Sequence, residues 1–273
     1  MNATIAIVLA GGLLVLAWIL GRPWLARRRR RAIFARGLDV ADRSLLARAW
    51  PRIAELPVDL RERLERLAAV FVAEKEFVGC GDLAITEPMR LAIAAQACLL
   101  VLGERRHVYD RLHAVLVYPS RFVAPSEWED EHGVVTSERR ELSGEAWDLS
   151  RILLSWEDVD SRGAPGEAYN VVIHEFAHYL DEESGGADGV PALPSAADRA
   201  RWQTVIAESF AALRRSVEAG EPTFLDPYAA ENEAEYFAVA SEAFFEEPRE
   251  FARRLPALYE QFRGYYRLDP AAW

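Results

Sequence analysis

The chain has 273 residues, 51% hydrophobic and 27% charged, with 32 basic against 43 acidic side chains. That composition excludes a disordered or fibrous protein and is ample for one sizeable domain with a buried core. Two cysteines, Cys80 and Cys98, build neither a disulfide framework nor a Cys-x-x-Cys metal knuckle; both read as reduced and buried, as in a cytosolic environment.

The first segment in chain order is apolar. Ala3–Gly21 (ATIAIVLAGGLLVLAWILG) runs 19 residues without a charge, and at about 1.5 Å per residue it reaches about 28 Å, close to the hydrocarbon thickness of a bilayer. Trp18 and Trp24 stand where interfacial anchors belong. Met1 and Asn2 supply none of the positive charge that precedes a secretory signal. The arginines come afterwards: Arg22 and Arg27 through Arg31 make six, and residues 1–31 hold no acid. The positive-inside rule then puts residue 22 onward in the cytoplasm. Residues 1–31 are therefore expected to be a single transmembrane anchor of the inner membrane with an Arg-rich flank, and residues 32–273 a cytoplasmic domain; a wholly cytoplasmic chain is the alternative. Taking those six arginines from the 32 basic residues leaves 26 against 43 acidic ones, a formal charge of −17 for residues 32–273. A body so acidic repels nucleic-acid backbones, so no nucleic-acid partner is expected.

Residues 38–76 read as two helices with Pro57 in the break and Leu60, Leu64, Leu67 and Val70 at helical spacing. A turn follows at Gly79–Gly81, then an apolar helix over Pro88–Leu102, buried nearly all round and too short to span a membrane. Between 113 and 159 the pattern changes to short runs rich in β-branched and aromatic residues (HAVLVYP, GVVTSERREL, RILLSWEDV), which predict a small sheet. Helical patterns then resume. Ala168–Glu182 ends at Gly185–Gly186, Ser195 with Asp198 caps a long helix ending near Gly220, and a further helix over Glu231–Glu247 is closed by Pro248. Helices, a small sheet and helices again indicate a mainly helical α+β domain.

The segment that carries chemistry is His174-Glu175-Phe176-Ala177-His178. Positions i and i+4 of a helix stand one above the other, about 6 Å apart, so two imidazoles there can hold one Zn2+ ion. Glu175 projects roughly 100° round the helix, able to lean over the open coordination position and take a proton from the attacking water. Val171-Val172-Ile173, Phe176 and Leu180 bury this helix on most sides, and buried imidazoles with a buried carboxylate are costly unless a metal or hydrogen bonds satisfy them. A catalytic site needs a third protein ligand. The other histidines, His107, His113 and His132, all precede the motif, which excludes the metzincin arrangement with its third histidine downstream. A carboxylate is left, giving the His₂Glu set of gluzincins. Asp181, two turns after His174, is short and suits a hydrogen bond to His178 better than the metal. Glu235, opening a helix of small and aromatic residues, is the stronger candidate, although Asn232 and Glu235 also have the spacing of a capping box. Asn170 and Glu242 are candidates to orient a ligand, with helix capping and solvent exposure as their ordinary alternatives. Arg151–Val159 stands where zincins keep the edge strand that pairs with substrate.

The motif HEFAHYLD (174–181), together with Gly81–Leu100, Gly144-Glu145-Ala146-Trp147 and AEYFAVASEAFF (234–245), resembles the Mlc titration factor A family. These are bacterial zinc-dependent peptidases related to the catalytic domain of anthrax lethal factor, and the resemblance covers roughly residues 60–270. It implies a zincin-like domain with His174, His178 and Glu235 as metal ligands and Glu175 as general base. It also implies that Tyr228, seven residues before the glutamate ligand, donates to the oxyanion of the tetrahedral intermediate; a packed aromatic after Asp226-Pro227 is the plainer role. The partners implied are a peptide or protein substrate and the glucose-responsive repressor Mlc. The apolar N-terminus departs from the family's founding member, which is soluble. A regulatory protein that sequesters a transcription repressor is the alternative to a peptidase.

Overall fold

The computed structural model describes the backbone of residues 3–103, 108–120, 122–129, 135–142, 144–161 and 169–273, and the side chains of Trp18 and residues 21–103, 108–120, 149–160 and 169–273. Helix α1 (Ala3–Arg36) runs unbroken through the boundary expected at residue 31. Its C-terminal part lies on α3 (Val58–Glu74), with Ile33 and Phe34 against the core. Arg30 grips both oxygens of Glu74 at 2.8 and 2.6 Å and reaches Asp110 at 2.7 Å. One member of the arginine run is thus an internal tie rather than a membrane flank.

Among the described residues no helix is long and apolar enough to cross a membrane. The expected transmembrane helix therefore gains no support. The side chains of residues 3–17, 19 and 20 lie outside the described residues, and the rest of α1 carries the arginines, which no bilayer interior accepts.

The core forms around α4 (Glu87–Leu99), whose residues Leu91 to Leu99 are all buried. Helices α2 (Val40–Ala49), α3 and α6 (Val171–Glu182) surround it, which is why its sequence is apolar on every side. Beside this layer lies a four-stranded sheet in the order β1 (Glu76–Gly79), β2 (Ala114–Tyr118), β6 (Arg151–Ser155), β5 (Gly144–Trp147). The first three strands are parallel and β5 is antiparallel to β6. Strand β6 has a neighbour on both sides and, apart from Arg151, is buried, hence its continuous apolar run.

Several expectations change here. Strand β6 is interior and cannot be the edge that takes a substrate strand; among the described residues the edges are β1 and β5, and β5 is the one beside β6. The predicted strand over 151–159 stops at Ser155 and gives way to α5 (Trp156–Ser161), opened by Glu157 and Asp158 at the favourable end of a helix dipole. Strand β1 stands just before the predicted glycine turn. Of the run at 133–142, residues 133 and 134 lie outside the described residues and the rest forms β4 (Val135–Leu142), paired with β3 (Phe122–Glu129) in a separate two-stranded sheet; the side chains of both strands lie outside the described residues, as do those of Gly144–Trp147. Cys98 is buried, whereas Cys80 is only partly so.

The C-terminal half is helical. After α6 come α7 (Ala196–Glu218), α8 (Glu233–Glu246), α9 (Pro248–Arg254) and α10 (Pro256–Tyr266). Rings from α8, α9 and α10 interlock behind the site: Phe244 lies 5.1 Å from Tyr259 and 5.4 Å from Tyr266, and Phe251 lies 5.7 Å from Phe262. That cluster fixes α8, and α8 packs on α6.

Candidate metal centre

Helix α6 starts because Asn170 caps it, its Oδ1 accepting from the Ile173 amide at 3.1 Å. Val171, Val172, Ile173, Phe176, Tyr179 and Leu180 bury the helix in the core and against β5 and β6, leaving His174 and His178 on the stripe that faces α8. Helix α8 starts in the same way, with Asn232 Oδ1 accepting from the Glu235 amide at 2.9 Å. The two readings of Glu235 are therefore compatible: its backbone serves the cap while its side chain points to the histidines.

Three donor atoms converge. His174 Nε2 and His178 Nε2 are 3.1 Å apart, and Glu235 Oε2 lies 3.1 Å from the first and 3.4 Å from the second. Ligands at about 2.0–2.2 Å from a tetrahedral zinc stand about 3.3 Å from one another, so this triangle has the size the ion requires. Glu235 Oε2 is buried and makes no hydrogen bond of proper geometry, although the two ring nitrogens face it. Lone pairs brought face to face in a buried site need a cation between them, and the donor set fits a metal ion. The protein's own charges say the same. Burial disfavours an ionised Glu235, yet its contacts with His174 and His178 outweigh that and hold the carboxyl well below the usual range. Burial likewise disfavours a charged His174, but Glu235 and Glu242 prevail and raise its pKa well above the ordinary value. In both cases the site favours positive charge beside Glu235.

The other face of His174 is fixed too: Nδ1 lies 2.8 Å from Glu242 Oε1, and Glu242 is 3% exposed. A proton on Nδ1 shared with that carboxylate leaves Nε2 with its lone pair toward the triangle. Glu175 is 4% exposed, and burial, opposed by the charges of His174 and His178, pushes its carboxyl up to about 7. Tyr228 stands in the turn Pro227–Ala230, half-exposed, with its ring 6.3 Å from that of His174. Burial and the Glu235 charge raise its phenol above the ordinary value.

Asp181 does not do what its spacing suggests. Its Oδ2 accepts from the Gly189 amide at 2.7 Å, and its buried Oδ1 makes no hydrogen bond among the described residues. The nearer amide of the following turn takes the carboxylate that was expected at His178. Conversely, Arg52, Gln96 and Glu246 gather behind Asn170, and no local spacing in the sequence announces them because they lie 74 to 194 residues from their partners.

Comparison with known proteins agrees with this geometry. The family model described as glucose-regulated metallo-peptidase M90 matches residues 24–267. An uncharacterised protein from Synechocystis sp. is 37% identical over 269 residues, covering 97% of each chain. Mlc titration factor A from Pectobacterium atrosepticum is 38% identical over 81% of this chain and 84% of its own, and that from Klebsiella pneumoniae 38% identical over 83% and 86%. On both grounds, this chain belongs to the glucose-regulated metallo-peptidase M90 family.

Proposed function

We propose that the chain is a zinc-dependent peptidase acting on a peptide or protein substrate, with His174, His178 and Glu235 as the metal ligands. The observation that carries this reading is the triangle of His174 Nε2, His178 Nε2 and Glu235 Oε2 with a buried carboxylate, Glu175, next in sequence to one of its corners. A zinc ion held there supplies a Lewis acid that acidifies water and polarises a carbonyl. Glu175 accepts the proton of the attacking water and delivers it to the departing amine. Tyr228, half-exposed beside His174, donates its hydroxyl proton as a hydrogen bond to the oxyanion. Strand β5, paired on one side only among the described residues, offers its other edge to an extended substrate. The reading includes a place for the chain: an inner-membrane anchor at Ala3–Gly21 with the remainder cytoplasmic. What supports it is the sequence alone, the uncharged run Ala3–Gly21 and the arginines other than Arg30 that follow it.

The test is Glu175→Gln in the full-length chain. It keeps one zinc per chain and lowers peptide cleavage by about 10²–10⁴-fold, the usual worth of a positioned base. The name of the relatives from Pectobacterium and Klebsiella, Mlc titration factor A, favours one other reading: sequestration of a repressor. If zinc-loaded parent protein cleaves nothing in a broad peptide library, that reading replaces the peptidase.

A further inference from the structure

The imidazole of His174 does not rest on Glu242 alone. Glu242 Oε2 accepts from the backbone amide of Asn170 while Oε1 holds His174 Nδ1. Asn170 is a hub. Its carbonyl accepts from the His174 amide at 2.9 Å, its Oδ1 caps α6, and its Nδ2 donates to Gln96 Oε1 at 2.9 Å and Glu246 Oε1 at 2.7 Å. The other oxygen of Glu246 is paired with Arg52. Arg52 belongs to the short helical turn Pro51–Glu55, on the far side of this chain of contacts from the histidines.

We propose that Arg52 and Glu246, acting through Asn170 and Glu242, are positioning residues for the metal centre. This rests on the metal reading above. Glu246 is largely buried, and the Arg52 guanidinium compensates its charge, so it stays a fixed acceptor for the Asn170 amide. Both protons of that amide are then committed, which leaves Asn170 no rotation available and aims its backbone N–H at Glu242. Glu242, held at both oxygens, presents a single orientation to His174 Nδ1. Each link removes one rotational freedom from the next, and the last one removed is the swing of the imidazole whose Nε2 faces Glu235.

A plainer role exists for Arg52, which also donates to the Phe245 and Glu246 carbonyls at the end of α8, at 3.2 and 3.3 Å. The test separates the two. Glu246→Ala leaves Arg52 free to cap α8 and Asn170 free to cap α6, but cuts the relay between them. Asn170→Ser keeps a good N-cap and removes the amide. In the full-length chain, zinc affinity measured against a competing chelator should fall about tenfold in each. The absorption bands of the cobalt-substituted protein should move in both. The double variant should bind no more weakly than Asn170→Ser alone, because two cuts in one chain do not add. The relay is overturned if folded Glu246→Ala binds zinc within about twofold of the parent, or if the two losses add; should Glu246→Ala fail to fold, unchanged affinity in Asn170→Ser overturns it. A parent chain that takes up no zinc overturns the metal reading and the relay with it, whereas a zinc-binding parent with unaffected variants overturns the relay alone.

Discussion

The two ends of α6 treat buried charge in opposite ways. At the N-terminal end Asn170 uses its amide, carbonyl and side chain at once, Glu242 is held at both oxygens, and His174 meets a carboxylate at each ring nitrogen. At the C-terminal end Asp181, with no exposed surface, has one oxygen on the Gly189 amide and the other without a hydrogen bond among the described residues. Burial raises both carboxyls above their ordinary values, but Glu242 has a hydrogen-bond partner at each oxygen whereas Asp181, among the described residues, has one at Oδ2 alone. Geometry that has to be held to fractions of an ångström is over-determined, and one turn beyond His178 the helix tolerates a carboxylate held at one oxygen.

The largest way to break the contrast is at the tight end. Protein zinc sites release about 12 kcal/mol, and sharing that among the ligands makes one carboxylate worth about 3–4 kcal/mol, two to three decades in Kd. Glu235→Ala should therefore weaken zinc binding about 100- to 1000-fold in a chelator competition, and stoichiometric zinc at parental affinity would sink the ligand assignment. Next comes the loose end. Gly189 has φ +70, and a Cβ there would meet the backbone oxygen of Glu233 at 2.4 Å. Its carbonyl also accepts from Trp202 Nε1 at 2.8 Å, so the turn ties α6, α7 and the start of α8 together. Gly189→Ala should cost about 2–4 kcal/mol in urea unfolding, and a loss under about 0.5 kcal/mol would show that the turn shifts freely.

The same contrast shows what a sequence makes legible. The pairing of His174 with His178 is a local fact, fixed by helical periodicity once Val171–Ile173 and Phe176 mark the buried stripe. The apolar surround of α4 likewise announces its burial. Glu235 is readable only as a type, because a metal held by the two histidines would call for a carboxylate as third ligand and a small-residue helix could bring one near; its distance to the histidines is a property of α6·α8 packing. The sheet is less legible. Strand β1 is four residues, EFVG, with no sustained alternation, and exists because β2 pairs with it from 38 residues away. The continuous apolar run of β6 marks it as buried, but that β5 is an edge beside it is a matter of strand order, which no local residue pattern encodes. Arg52 and Asp181 fail for one shared reason: what decides their partners is which backbone or side chain arrives first in three dimensions, from Glu246 in one case and Gly189 in the other.

Asp181 offers the finest measurement. Burial, with the Asp188 charge adding to it and the Gly189 hydrogen bond and His178 opposing it, pushes its carboxyl from the ordinary 3.8 up to about 6. The folded chain thus holds the Asp181 proton over a range where the unfolded chain has already released it. As pH rises from about 4 to about 6 the unfolded state binds fewer protons, and folding stability falls; above about 6 the full penalty, on the order of 2–3 kcal/mol, is present. Asp181→Asn keeps an acceptor for the Gly189 amide and cannot ionise. Its new NH₂ group, set where the orphan oxygen lies, costs part of the gain. Urea unfolding of the zinc-free protein should therefore show the variant more stable than the parent by about 1–2 kcal/mol at pH 7.5 and no better at pH 4. The other buried acids, Asp158, Glu175 and Glu242, are common to both proteins and drop out of the difference. Parallel stability curves from pH 4 to 8 would mean that Asp181 ionises without penalty, and then the two ends of α6 would not differ in kind.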